Sequence, residues 1–114
     1  ESVRREGADI AIVGWNVVLG DNNACYDRML LMRSEDGTIY RLPLKGQYRP
    51  DLMENMPDQK RVGFCGFCVR LRRGALPPGI YRVGVAVTRR VGNLRLVSWS
   101  NRAVEMERQS KRQD

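Results

Sequence analysis

Few residues of this 114-residue chain have the types and spacing that chemistry needs: Cys65-x-x-Cys68, five aspartates in or beside turn-forming segments, a handful of aromatics and a large set of arginines. Histidine is absent, which excludes a His base, a His metal ligand and any Ser/His/Asp triad. The Cys65/Cys68 spacing is that of redox and zinc sites, but in an extended strand positions three apart face opposite ways and the sulfurs diverge. Packing is the better reading, since zinc would need a carboxylate beside all three cysteines. Asp21, Asp27, Asp36, Asp51 and Asp58 could assemble a glycosidase pair or a Ca²⁺ site, and turn formation explains them equally well. There is no Asp-rich calcium loop, and Gly63-x-x-Gly66 lies in a predicted strand with no helix after it to cradle phosphate. No catalytic residue, metal or cofactor is assigned from these patterns.

Binding chemistry has more material. Trp15, Tyr40, Tyr48 and Trp99 are of the type that stacks on sugars or bases, although in a small domain such residues also serve as core and rim. Lys and Arg number 20 against 13 Asp and Glu, a formal charge of +7, and seventeen of the bases are Arg. Arginine suits planar contact with phosphate or carboxylate. Arg41, Arg70, Arg72 and Arg82 fall on outward positions of predicted strands, and would form a basic stripe for an anionic partner if those strands are neighbours. The same excess also describes a merely solvated Arg-rich surface. The aromatic signatures of RRM, KH and cold-shock domains are missing and bases are not interleaved with aromatics, which argues against nucleic acid.

The elements that must position these residues read as strands. With 42% hydrophobic and 29% charged positions, the chain has the material for one compact domain. Residues 1–7 read as a linker remnant, 8–104 as the module and 105–114 as a polar tail or linker. Ala8 to Leu19 is a β-branched run, Tyr26 to Arg33 an apolar strand, and Ser34-Glu35-Asp36-Gly37 a turn into Thr38–Leu44. Gly46, Pro50 and Pro57 break the pattern over 45–61, predicting a long crossing connection with a short helical turn near Asp51–Met56. Alternation returns at Val62–Arg72. After Leu76-Pro77-Pro78-Gly79 it resumes at Ile80–Arg89, with Tyr81, Val83, Val85 and Val87 inward, and a last strand covers Leu94–Val104. Six to seven strands without helical periodicity predict an all-β, two-layer antiparallel β-sandwich, immunoglobulin-like or jelly-roll-like, with an open barrel as the alternative.

An odd number of cysteines fits a reducing compartment, and no signal peptide or transmembrane segment is legible. The opening at Glu1 and the charged end predict a module of a longer protein. Gly14-Trp15, Asp36-Gly37-Thr38-Ile39-Tyr40, Tyr48-Arg49-Pro50-Asp51-Leu52, Gly63-Phe64 with Gly66-Phe67, and Leu76-Pro77-Pro78-Gly79-Ile80-Tyr81 form a pattern over residues 8–104. It resembles the β-sandwich accessory modules of bacterial cell-envelope glycosyltransferases and teichoic-acid-type polyol-phosphate polymerases. The cysteines and the Arg content depart from that pattern. The resemblance implies a non-catalytic domain on the cytoplasmic side of the membrane, serving a neighbouring catalytic domain of the same chain. For a bound glycan the candidates are Trp15, Tyr48, Arg49 and Asp51 at one end of the sandwich, although Arg49 and Asp51 also suit a structural role in the crossing loop; an anionic cell-envelope polymer as partner rests on the Arg content of this sequence alone. The alternative is a basic docking platform with no small ligand.

Overall fold

The computed structural model describes residues 2–6, 9–72, 74–92 and 94–106. Two antiparallel sheets face each other. Strands β1 (Ser2–Glu6), β2 (Asp9–Trp15) and β5 (Gly66–Leu71) form one sheet in the order β1-β2-β5. Strands β3 (Tyr26–Ser34), β4 (Ile39–Pro43), β6 (Gly79–Arg89) and β7 (Arg95–Met106) form the other in the order β4-β3-β6-β7. The all-β sandwich predicted from alternation is the fold, and two separate sheets replace the alternative of an open barrel.

The core follows from side-chain parity. Ile10, Ile12, Phe67 and Leu71 of the smaller sheet meet Leu30, Met32, Tyr81, Val83, Val85 and Val87 of the larger. In each strand these are alternate positions, so one face is apolar and buried while the other meets water. The hairpin between β3 and β4 closes through backbone bonds from Ser34 N–H to the Thr38 carbonyl (2.8 Å) and from Gly37 N–H to the Ser34 carbonyl (3.0 Å). Gly37 supplies the positive φ of 92° that the turn requires. Asp36 accepts from the Thr38 N–H at 2.9 Å and from the Ser34 hydroxyl, and the Ser34 bond leads the forces that lower its carboxyl to about 2. Tyr81, fully buried, donates its hydroxyl to the Pro77 carbonyl at 2.6 Å, pinning the Pro77-Pro78 turn to the start of β6 in the manner of a tyrosine corner.

Several boundaries differ from the sequence reading. Where composition predicts a linker over residues 1–7, Ser2–Glu6 pairs with β2 through the register Ser2 to Val13; a short polar strand at a sheet edge carries no hydrophobic alternation to announce it. The first apolar run stops pairing at Trp15 rather than Leu19, and β5 begins at Gly66 because residues 62–65 close a turn, with Cys65 N–H on the Val62 carbonyl (3.1 Å). Strand β7 reaches Met106, beyond the predicted end at 104. The rest of the expected tail, residues 107–114, lies outside the described residues. The connection over 45–61 crosses between the sheets as predicted and carries helix α1 (Pro50–Asn55), with proline in its first turn.

Candidate functional site

The crossing connection returns along the end of the smaller sheet as a short extended strap. Gln47 N–H donates to the Gly66 carbonyl (2.7 Å) and Arg49 N–H to the Gly63 carbonyl (2.6 Å). Because successive residues of an extended segment face opposite ways, Tyr48 and Arg49 point to different sides of this strap. Arg49 lies on the outer side. Its stem crosses Gly66 so closely that an added Cβ would sit 2.3 Å from its Cγ, and Trp15, directly opposite Gly66 in the register, shares that face. Arg49 grips Asp51 with two bonds, Nε to Oδ1 at 2.9 Å and Nη2 to Oδ2 at 2.7 Å; this contact holds the Asp51 carboxyl below its ordinary range and raises the Arg49 guanidinium.

Tyr48 lies on the inner side. Its ring meets Phe64 with centroids 5.2 Å apart and planes tilted by 42°, and both rings are more than half exposed. They form one wall of a cavity of about 880 Å³ between the sheets, with Met53 beside them and Tyr26, Arg28 and Cys65 among the deeper residues. Thus the four residues expected to share one ligand are divided: Trp15, Arg49 and Asp51 on the outer face, Tyr48 alone in the cavity.

Arg28 is not among the residues that the sequence analysis singles out, yet its guanidinium makes three side-chain hydrogen bonds at this end of the fold. It occupies the inward parity of β3, in phase with Tyr26, Leu30 and Met32. Its Nε donates to the Asn16 carbonyl (3.1 Å), its Nη2 to Asn23 Oδ1 (2.8 Å), and its Nη1 to the Asn23 carbonyl at 3.5 Å. Burial lowers the guanidinium's affinity for its proton, although arginine remains charged at any ordinary pH. Asn23, 2% exposed, is the hub: its Oδ1 also accepts from Val18 N–H (2.8 Å) and its Nδ2 donates to the carbonyls of Lys60 (3.0 Å) and Val18 (3.2 Å). The network binds three segments into the rim of the cavity. Burial pushes the Cys65 thiol up, with nearby Arg28 pulling the other way. At the mouth, Arg61 holds a left-handed φ of 59°, a conformation that favours glycine.

Family models, curated proteins and solved structures give no match to this chain.

The loop aspartates are mostly committed to structure. Tyr26 donates its hydroxyl to Asp21 at 2.7 Å, lowering the carboxyl and raising the phenol, and Asp27 receives Arg90 Nε at 3.0 Å. Among the described residues no three His, Cys, Asp or Glu side chains converge on a metal position. The three cysteines are free thiols; Cys65 is buried in the turn before β5, and Cys68 is exposed on that strand. No helix among the described residues is long and apolar enough to cross a membrane.

The predicted basic stripe is split by the sheet topology. Arg70 lies on the smaller sheet, paired with Asp9 at 3.7 Å, and Arg72 follows the same strand. Arg41 and Arg82 lie on the larger sheet, on either side of β3. There the register places Arg41, Leu31, Gly84 and Trp99 in one row and Ile39, Arg33 and Arg82 in the next. Trp99 covers Gly84 so tightly that a Cβ there would meet its ring at 2.5 Å. A second groove, about 930 Å³, runs between β1 and β7 and is lined by Val3, Ile10 and residues 99–105.

Proposed function

We propose that this chain is a non-catalytic binding module, an accessory β-sandwich of a larger bacterial glycosyltransferase, and that it presents the cavity between its sheets to a carbohydrate. The observation that carries this reading is the exposed Tyr48–Phe64 pair on the wall of a cavity of about 880 Å³, a volume suited to one or a few sugar rings. An aromatic face buries the apolar C–H side of a pyranose while hydrogen-bonding groups around the rim orient its hydroxyls. The link to a glycosyltransferase, and with it a place on the cytoplasmic side of the membrane, rests on the family resemblance and on the free thiols.

A glycan-array screen of the chain at low and physiological salt tests this. Salt-resistant binding to a defined sugar, lost in Tyr48→Ala and Phe64→Ala but retained in Trp15→Ala on the opposite face, is the expected result. Absence of sugar binding at both salts overturns it.

A second reading is favoured by the outer face of the larger sheet, where Arg33, Arg41 and Arg82 are exposed and carry no ion pair among the described residues. Such a face suits docking on an acidic protein or an anionic surface. Binding to polyanions that fades steeply with salt and survives Tyr48→Ala would select this reading.

A further inference from the structure

We infer that the ligand of the cavity bears an anionic substituent, a phosphate or carboxylate on the sugar, that docks on the guanidinium of Arg28. This rests on the cavity being the binding site and goes beyond it by naming the chemistry of the ligand. Arg28 projects from the inward parity of β3 into a half-buried position, where its three hydrogen bonds all end on neutral oxygens of Asn16 and Asn23. A guanidinium has five N–H donors, so two remain for a ligand. Taking a cation partly out of water without a counter-charge is unfavourable, and a carboxylate is the usual remedy in a finished core.

The cavity supplies none. Its one acidic lining residue, Asp27, already receives Arg90, whereas Lys45 and Arg61 also line it and carry no ion pair among the described residues. The lining is therefore a cationic recess with an aromatic wall. An uncharged sugar would use the wall and leave the recess uncompensated. A free anion would use the recess and leave the wall bare. One molecule that carries both a ring and a negative group satisfies both. The N–H groups of an arginine donate to phosphate and to carboxylate oxygens alike.

The test is a titration of the chain with methyl glucoside, glucose 6-phosphate, glucuronate and inorganic phosphate, followed by calorimetry and by the NMR signal of the Arg28 Nε–H. The expected result is that one of the two anionic sugars binds at least about tenfold more tightly than methyl glucoside and than inorganic phosphate, and shifts the Arg28 signal. Which of the two does so identifies the anion. Arg28→Lys should then weaken that sugar toward the affinity of methyl glucoside, while Lys45→Gln with Arg61→Gln reduces it less. Because Arg28 also braces Asn23, a variant that fails to fold leaves the Arg28 signal of the unaltered chain to decide. Equal binding of charged and uncharged sugars overturns this inference and leaves the carbohydrate-binding reading standing. Binding of no sugar at all overturns both. Anionic binding that moves no Arg28 signal and vanishes in the Lys45→Gln, Arg61→Gln variant places the anion on the rim and also overturns it.

Discussion

The two sides of the strap at residues 47–49 use the same residue types to opposite ends. On the outer side, Arg49 is locked to Asp51 and Arg70 stands beside Asp9, so these two charges are answered within the protein. On the inner side, Arg28 is held by neutral oxygens, and Lys45 and Arg61 have no acid partner among the described residues. An answered charge orders a loop; an unanswered one keeps its attraction for a ligand. That difference, more than the overall charge of +7, separates structural arginines from candidates for binding.

Removal of the inner cation has the largest expected effect. Arg28→Met should lower stability by about 2 kcal/mol in urea denaturation, because the Asn16 carbonyl loses its Arg28 donor at a partly buried site and Asn23 Oδ1 keeps only the Val18 N–H. A loss too small to measure would mean that the network does not brace the cavity. Next comes Gly84→Ala on the outer face of the larger sheet, where the added methyl meets the Trp99 ring; a loss of about 1–2 kcal/mol is expected, with a change in tryptophan fluorescence as the indole shifts. Unchanged stability would mean that both the Trp99 ring and the β7 backbone at the Ser98 carbonyl, which the added methyl would meet at 2.9 Å, give way without cost.

Arg49→Gln removes an outer cation that is already paired at the surface. It should move the thermal midpoint by less than about 3 °C and leave ligand binding in the cavity intact. A larger effect on binding than that of Arg28→Lys would reverse the assignment of the two sides. The smallest effect is the acid limb of the stability profile. The Asp36 carboxyl, held at about 2 chiefly by the Ser34 hydroxyl, contributes stability that is whole above its ordinary value of 3.8 and is lost as pH falls through about 2. Asp36→Asn should flatten the profile between those two values, which thermal melts across that range would show.

Much of the architecture was legible because alternation is a local signal. The inward set Tyr81, Val83, Val85 and Val87, the Ser34–Gly37 turn and the crossing connection with its short helix can each be read within a dozen residues. Strand β1 was not, since an edge strand is held by backbone bonds to β2 and needs no apolar face of its own. Of the candidate site, Tyr48, legible by its aromatic type, lines the cavity, while Trp15, Arg49 and Asp51 share the outer face. Arg28 had a signal that was available: a charge in the inward phase of an otherwise apolar strand. Phe64 had none, because only the turn that closes at Cys65 sets its ring against Tyr48.

Residue type and a period of two were enough for the strands with an apolar face, for the side each of them buries and for the basic balance of the chain. Tertiary structure decided which cations are paired. Asp27 lies sixty-three positions from Arg90, and Arg41 and Arg70 are assigned to different sheets by strand order. Pairing is settled through space over a few ångströms, where Coulomb attraction and hydrogen-bond geometry act, and no spacing along the chain encodes those distances.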